Sequence, residues 1–293
     1  MILALTGGTG FVGRATIERA LAAGHYVRAL TRRPQPPRAG VTWVNGALDD
    51  AASLTELVSG AVAVIHIAGV VNAPDRAGFI TGNIDGTRQM IAASGSRRFV
   101  HVSSLSAREP DLSNYGWSKR EAEELVVASG ADWAIVRPSG VYGPGDTEMR
   151  DLFRLARYGL ALLPPPGKVS LIHVDDLARL LVLLAEAPEQ RAMFEVDDGE
   201  VLTHAALSAA IGRAVGRRVV PLHLPASLLR LGARLDGAVR GTGAKLTADR
   251  VGYLTHPDWT ARAEYRPPAA LWTPTIPLAD GLAGTARSYG IAG

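Results

Sequence analysis

Short apolar runs alternate with helical periods along the first two-thirds of the chain. Residues 2–5, 26–30, 41–44, 61–67, 99–102 and 133–137 are β-rich runs of strand length. Between them the apolar spacing predicts helices over 13–23, around 54–58, over 83–93 and over 119–129. Strands that read as nearly continuous apolar runs are covered on both faces, and strands alternating with helices at this spacing are joined by right-handed crossovers. The pattern therefore predicts an α/β fold on a doubly wound parallel sheet. After Pro138 the character changes: residues 140–146 are turn-rich and 163–167 hold three consecutive prolines. Residues 171–174 and 193–196 read as further strands, and 175–186 as a helix whose Asp175 and Asp176 complement its dipole. Thr203 reads as the N-cap of a helix reaching Val215. Beyond Pro221 there is one amphipathic stretch, 224–239, for which core packing is expected and an interfacial helix serving an apolar substrate is the alternative. Residues 1–160 are expected to form a first domain, completed by about 170–200, and 201–293 a smaller, interleaved C-terminal lobe that binds substrate.

Between the first strand and the first helix stands TGGTGFVG, which spaces Gly7, Gly10 and Gly13 as G-x-x-G-x-x-G. Glycine turns tightly at positive φ, lets the backbone approach a pyrophosphate, and lets the helix pack on the strand. The helix start, at Phe11 and Val12, then offers free N–H groups to the phosphates. A mere turn is the competing reading, and the flanking strand and helix argue against it. The second strand ends Leu30-Thr31-Arg32-Arg33, with no acid to take a ribose 2′-hydroxyl. Arg32 and Arg33 suit a 2′-phosphate instead, so NADP is expected ahead of NAD. Solvated loop charges are the alternative.

Tyr115 and Lys119 form Tyr-x-x-x-Lys, which places both on one helix face. A free phenol ionises at about 10, and a nearby ammonium lowers that value. Upstream, the strand Phe99-Val100-His101-Val102 runs into Ser103-Ser104. With the glycine loop, these motifs resemble the extended short-chain dehydrogenase/reductase superfamily, and within it the NAD(P)-dependent epimerase/dehydratase family. His66-Ile67-Ala68-Gly69, Asn83-Ile84-Asp85-Gly86-Thr87, Arg137-Pro138 with Val141-Tyr142-Gly143-Pro144-Gly145-Asp146, and Ile172-His173-Val174-Asp175-Asp176-Leu177-Ala178 also resemble family segments, in the family's order over roughly residues 1–200.

The resemblance implies a Rossmann fold with a substrate lobe, and Ser104, Tyr115 and Lys119 as catalytic residues. It implies a cofactor site from Gly7, Gly10, Phe11, Val12, Gly13, Arg32, Arg33, Leu48, Ala68, Gly69, Tyr115, Lys119 and Pro138. Ser103 is expected to be a turn-capping hydroxyl. His101 and His173 are expected in the core or hydrogen-bonded. Two departures stand out. Ala47 replaces the usual Asp of the family's adenine-side G-D-L-x-D, here Gly46-Ala47-Leu48-Asp49-Asp50, and Ser104 lies only eleven positions before Tyr115. The short connection removes one wall of the usual substrate site and counts against a bulky sugar nucleotide.

The expected reaction is NADP-linked hydride transfer at a carbonyl or secondary alcohol of a small organic substrate. Sugar-nucleotide epimerase or dehydratase turnover on tightly bound NAD, and a non-catalytic dinucleotide-binding scaffold or redox sensor, are the alternatives. Arg150, Phe153, Arg154 and Tyr142 are candidate pocket liners by position. Trp259 and Trp272 lean the substrate towards an apolar or aromatic molecule, although aromatics of a small lobe more often form its core. Composition adds exclusions: with no cysteine there is no disulfide or thiolate site, and no His/Asp/Glu set has metal-ligand spacing. The charge of +3 is scattered in arginine pairs, so no nucleic-acid stripe is expected. No apolar run spans a bilayer, and MILALTGG lacks a signal peptide's basic leader, so a cytoplasmic protein is expected. A homodimer through helices of the nucleotide-binding half is the oligomer the resemblance implies.

Overall fold

The computed structural model describes residues 1–187, 191–244 and 246–291. The chain begins β1 (Ile2–Thr6), α1 (Phe11–Ala22), β2 (Tyr26–Thr31), β3 (Val41–Asn45), α2 (Ala51–Val58) and β4 (Ala63–His66). It continues through α3 (Arg76–Phe79), α4 (Gly86–Ser94), β5 (Arg98–Val102), α5 (Asn114–Ala128), β6 (Trp133–Pro138) and β7 (Gly140–Tyr142). Then come α6 (Arg150–Ala156), β8 (Leu160–Leu163), β9 (Lys168–Val169), β10 (Leu171–His173), α7 (Val174–Glu186) and β11 (Ala192–Val196). The last part holds β12 (Leu202–Thr203), α8 (His204–Ala214), β13 (Val220–His223), α9 (Ala226–Arg240), α10 (Ala248–Leu254), β14 (Asp258–Trp259) and α11 (Leu278–Ser288).

Seven parallel strands form the central sheet in the order β11-β6-β5-β4-β1-β2-β3. Strand residues alternate between two cores. Leu3, Leu5, Ile65, Val100 and Val136 pack with Ile17 of α1 and Leu177 of α7. Ala4, Val64, Phe99 and Ile135 pack with Leu54 of α2, Met90 of α4 and Val126 of α5. Burial on both faces is why these strands read as unbroken apolar runs. The strand order reverses between β1 and β4, and in open sheets of this kind the crevice beyond the carboxyl ends of such strands is where ligands bind.

Several elements depart from the periodic reading. Residues 83–93 are not one helix: a π-helical turn, Ile80–Asp85, precedes α4. A π-turn shifts a side chain out of α-helical register, and here it holds Asn83, whose amide is drawn to the Val70 backbone and Ser118. Helix α5 starts earlier than predicted because Ser113 caps it, accepting from Gly116 N–H at 2.9 Å. The strand after the prolines pairs with β7 and stays out of the central sheet. His173 ends that strand and caps α7, its Nδ1 accepting from Asp175 N–H at 3.2 Å.

A third core joins Tyr142, Phe153 and Leu171 to Ile211 of α8 and Leu282 of α11. Trp272 belongs instead to the sheet core beside α7, its indole N–H donating to Asp176 O at 3.1 Å. Asp176 does more than complement a dipole, because its Oδ2 accepts from the backbone of Thr275 and Ile276, both at 2.9 Å, and ties the C-terminal segment to α7. Thr203 caps α8 as expected, accepting from Ala206 N–H at 3.1 Å. The amphipathic stretch forms α9, but it does not pack into a core: Ala233 is its one buried residue.

Candidate functional site

At the switch point the glycine loop is pressed between β1 and β4. Gly7 has a φ of +76°, and a Cβ there would lie 2.8 Å from Ala68 N. A Cβ on Gly13 would meet Gly7 O at 2.0 Å, so glycine is required for α1 to start where it does. Gly10 donates to Gly7 O at 2.9 Å and stands as the N-cap of α1 with no side chain to satisfy the first-turn donors. Those donors include Phe11 and Val12 N–H, and no acid occupies the turn. This cradle fits a dinucleotide pyrophosphate. Arg32 and Arg33 follow β2; Thr31 Oγ1 donates back to Arg33 O at 2.6 Å, and both arginine side chains are exposed. Leu48 is half-buried against Gly86, and Ala68 N–H donates to Thr6 Oγ1 at 3.2 Å. Gly69 lies beside Asn83, and Pro138 closes β6.

Ser104, Tyr115 and Lys119 come together beyond the carboxyl end of β5. Two 3-10 turns, Leu105–Arg108 and Pro110–Leu112, span the short connection and put Tyr115 in the first turn of α5. Ser104 caps the first of these turns, accepting from Ser106 N–H at 3.2 Å and donating to Ser106 Oγ at 3.2 Å, and its hydroxyl lies close enough to the Tyr115 phenol to favour its ionised form. The turn-capping hydroxyl is thus Ser104. Ser103 donates instead to Glu123 Oε1 at 2.5 Å, because it faces the helix rather than the turn. One turn past Tyr115, Lys119 is buried and its Nζ donates to Val102 O at 2.7 Å.

Burial dominates the ionisation of this group. It pushes the Tyr115 phenol above its ordinary value, with hydrogen bonding from Ser104 and the charge of Arg250 pulling the other way. The sequence suggested a lowered phenol; in this fully buried position desolvation outweighs the neighbouring positive charge. Burial also lowers Lys119 to about 8, against the pull of Glu123. His66 is pushed to about 3 by burial and by Lys119, so it is neutral. Thr87 Oγ1 donates to Asn83 O at 2.6 Å and therefore accepts from His66 Nε2–H, leaving Nδ1 to accept from Thr6. His101 is buried in the core beside it, the rings 5.5 Å apart.

Three residues of α10 reach this site without any motif to announce them. Asp249 Oδ1 accepts from Asn114 N–H at 2.5 Å, at the start of the Tyr115 helix. The Tyr253 ring lies 6.3 Å from that of Tyr115, and Phe79 lies 6.3 Å from it as well. Arg250, paired with Glu148 at 2.7 Å, supplies the positive charge felt by Tyr115. A cavity of about 420 Å³ opens beside Phe79, with Asn72, Pro74, Asn114, Ala233 and Gly237 among its walls. A second, of about 420 Å³, borders the glycine loop at Thr9 and Phe11 and reaches Pro144 and Asp175. Phe153 and Tyr142 line neither, being wholly buried in the third core, and Arg150 lies over the Tyr289 ring at 5.4 Å.

A parallel sheet with a glycine cradle at its switch point defines a nucleotide-binding α/β protein. The chain belongs to the NAD dependent epimerase/dehydratase family, whose model matches residues 3–196. It is 36% identical to a ceramide reductase of Caulobacter vibrioides, across 100% of this chain and 95% of that one. It is 31% identical to cinnamoyl-CoA reductase 1 of Oryza sativa subsp. japonica, over 66% of this chain and 70% of the other. Among solved structures, MoeE5 in complex with UDP-glucose and NAD superposes with a TM-score of 0.74 over 98% of this chain and 97% of its own, at 22% identity, a likeness of fold.

Proposed function

We propose that the chain is an NADP(H)-linked oxidoreductase that reduces a carbonyl, or oxidises the matching secondary alcohol, on a long-chain apolar substrate. The observation that carries this reading is the placement of Ser104 and Lys119 about Tyr115 at the carboxyl end of β5, beside a cleft whose walls include Phe79, Pro74, Leu246 and the small residues of α9 together with Asn72, Asp75 and Asn114. The similarity to a ceramide reductase over the whole chain supports the substrate class. The exposed Arg32 and Arg33, with no acid beside them, support NADP over NAD.

The bound dinucleotide would supply the hydride. Gly7, Gly10, Phe11, Val12 and Gly13 hold its pyrophosphate, Arg32 and Arg33 its 2′-phosphate, while Leu48, Ala68, Gly69 and Pro138 border the rest. Tyr115 gives its phenol proton to the carbonyl oxygen in the reducing direction, for which a raised phenol value keeps the proton in place at neutral pH. Ser104 donates a hydrogen bond to the same oxygen as charge develops there. Lys119 holds the ribose hydroxyls, and its ammonium steadies the phenolate left behind.

The test follows NADPH oxidation with a long-chain ketone amide as substrate. Tyr115→Phe should lower kcat by about 100-fold or more, with NADPH affinity unchanged, and Arg32→Ala/Arg33→Ala should weaken NADPH about tenfold or more without weakening NADH. Full turnover by Tyr115→Phe would sink the mechanism. The family's other chemistry, epimerase or dehydratase turnover on a retained NAD, predicts protein that purifies with bound NAD and consumes no NADPH. That outcome would replace this reading.

A further inference from the structure

Helix α9 turns its large side chains to solvent. Leu228, Leu231, Leu235 and Val239 are 50%, 50%, 59% and 83% exposed, and spacings of three, four and four residues put them on one helical face. Small residues of the same helix, Ala233 and Gly237, wall the cleft beside Phe79. Immediately upstream, β13 pairs in parallel with β8, setting Val220 opposite Leu160 and Leu222 opposite Leu162. Paired side chains of a ladder leave the same face of the ribbon, and these four are 55%, 41%, 45% and 46% exposed. Single exposed apolar side chains are ordinary, but four on one face of a helix, with four more on the ribbon that leads into it, are not.

The charge beside them is mainly positive, and Asp236, the one acid of α9, is tied to Arg240 at 3.2 Å and to Leu246 N–H at 2.8 Å. From Val201 to Leu235 the chain carries five arginines (Arg213, Arg217, Arg218, Arg230 and Arg234) and neither Asp nor Glu. All five are exposed. Arg234 stands one turn from Leu231 at the edge of the leucine stripe, Arg230 lies further round α9 towards its small-residue side, and neither forms an ion pair among the described residues.

We propose that α9, with the β8–β13 ribbon, docks on the surface of an anionic bilayer. The leucines and Val239 enter the acyl boundary, and the arginines meet headgroup phosphates. A two-fold contact with a second copy would instead bring arginine-rich faces together, which like charge opposes. Because the opposite, small-residue side of α9 walls the cleft, docking would set that cleft one helix away from the lipid; this consequence rests on the long-chain substrate proposed above.

Vesicle sedimentation of the full chain tests the surface, with phosphatidylcholine alone and with phosphatidylcholine mixed with phosphatidylglycerol. Binding should need the anionic lipid and weaken as salt is added. Leu228→Ser/Leu231→Ser/Leu235→Ser, and separately Arg230→Glu/Arg234→Glu, should each reduce partitioning about tenfold or more. NADPH titration of the same variants should be unchanged, which shows that they are folded and reads the cofactor proposal independently. No binding to anionic vesicles, or binding that survives both variants, would overturn the proposal. So would a dimer in sedimentation velocity that the serine variant dissolves, since the occupant would then be a second copy.

Discussion

Lys119 is the side chain of the candidate site whose charge is most easily changed near neutrality. Burial brings it down to about 8, while burial pushes Tyr115 up, so Lys119 gives up its proton first as pH rises. Below about 8 it is an ammonium; above that it is an amine that still donates to Val102 O. If the ammonium holds the ribose and steadies the phenolate, NADPH affinity and turnover fall as pH rises through about 8. Lys119→Arg, whose guanidinium stays charged, should remove the inflection even where it lowers the rate; an unmoved inflection would assign the titration to another group. Gly7, Ser104, Tyr115 and Lys119 were legible in the sequence because each sits in a short motif. Asp249, Arg250 and Tyr253 were not, because they arrive from more than 130 positions along the chain, and no spacing encodes that meeting. Ser103 was misread for a related reason: its partner, Glu123, lies twenty residues ahead on α5.

The pairing of α10 with α5 is where the last part of the chain touches the candidate chemistry. Asp249 accepts from the first N–H groups of α5, Asn114 at 2.5 Å and Tyr115 at 3.4 Å, and so places a carboxylate at the positive end of the helix. Gly252 allows the approach, since a Cβ there would lie 2.0 Å from Leu112 O in the turn just before Tyr115. α10 therefore packs directly on the short Ser104–Tyr115 connection. Asp249→Ala should cost about 1 kcal/mol of stability as a lost cap, and lower kcat while leaving NADPH affinity intact. Gly252→Ala should be worse, about 1–3 kcal/mol by overpacking, with kcat falling together with the melting temperature. An Asp249→Ala enzyme with wild-type kcat would show that α10 merely covers Tyr115. Apolar periodicity announced the central strands and α1, α2, α5 and α7, where a buried face repeats along one element. It missed the π-turn at Asn83 and the early start of α5, because both are set by polar side chains answering backbone groups elsewhere.

Across the whole molecule, the elements are tied behind the site by a charge network that periodicity could not reveal. Arg137 of β6 grips Glu123 of α5 through two bonds, of 2.8 and 2.6 Å, and reaches Glu195 of β11 at 3.5 Å. Arg108 pairs with Glu195 at 3.1 Å and donates to Thr260 O and Asp258 O, which fixes the segment after α10. The sequence marked Arg137 as part of a family segment and gave Glu195 no role, since a strand glutamate reads as an exposed side chain. It is fully buried, and two arginines are what make that burial tolerable. The same dependence on distant partners explains why the chain beyond about residue 200 was hard to read: Trp272 completes the sheet core and α9 faces outward, and neither outcome is a local property. With Arg137→Leu, both carboxylates lose their common partner while staying buried, and breaking such a pair costs about 3–5 kcal/mol. Replacing Glu123 by Met at the same time removes one stranded charge, so the double variant should be more stable than Arg137→Leu alone. Urea denaturation of the two variants measures the difference. A single variant costing under about 1 kcal/mol would mean that water reaches this layer and that the network does not hold α5 to the sheet.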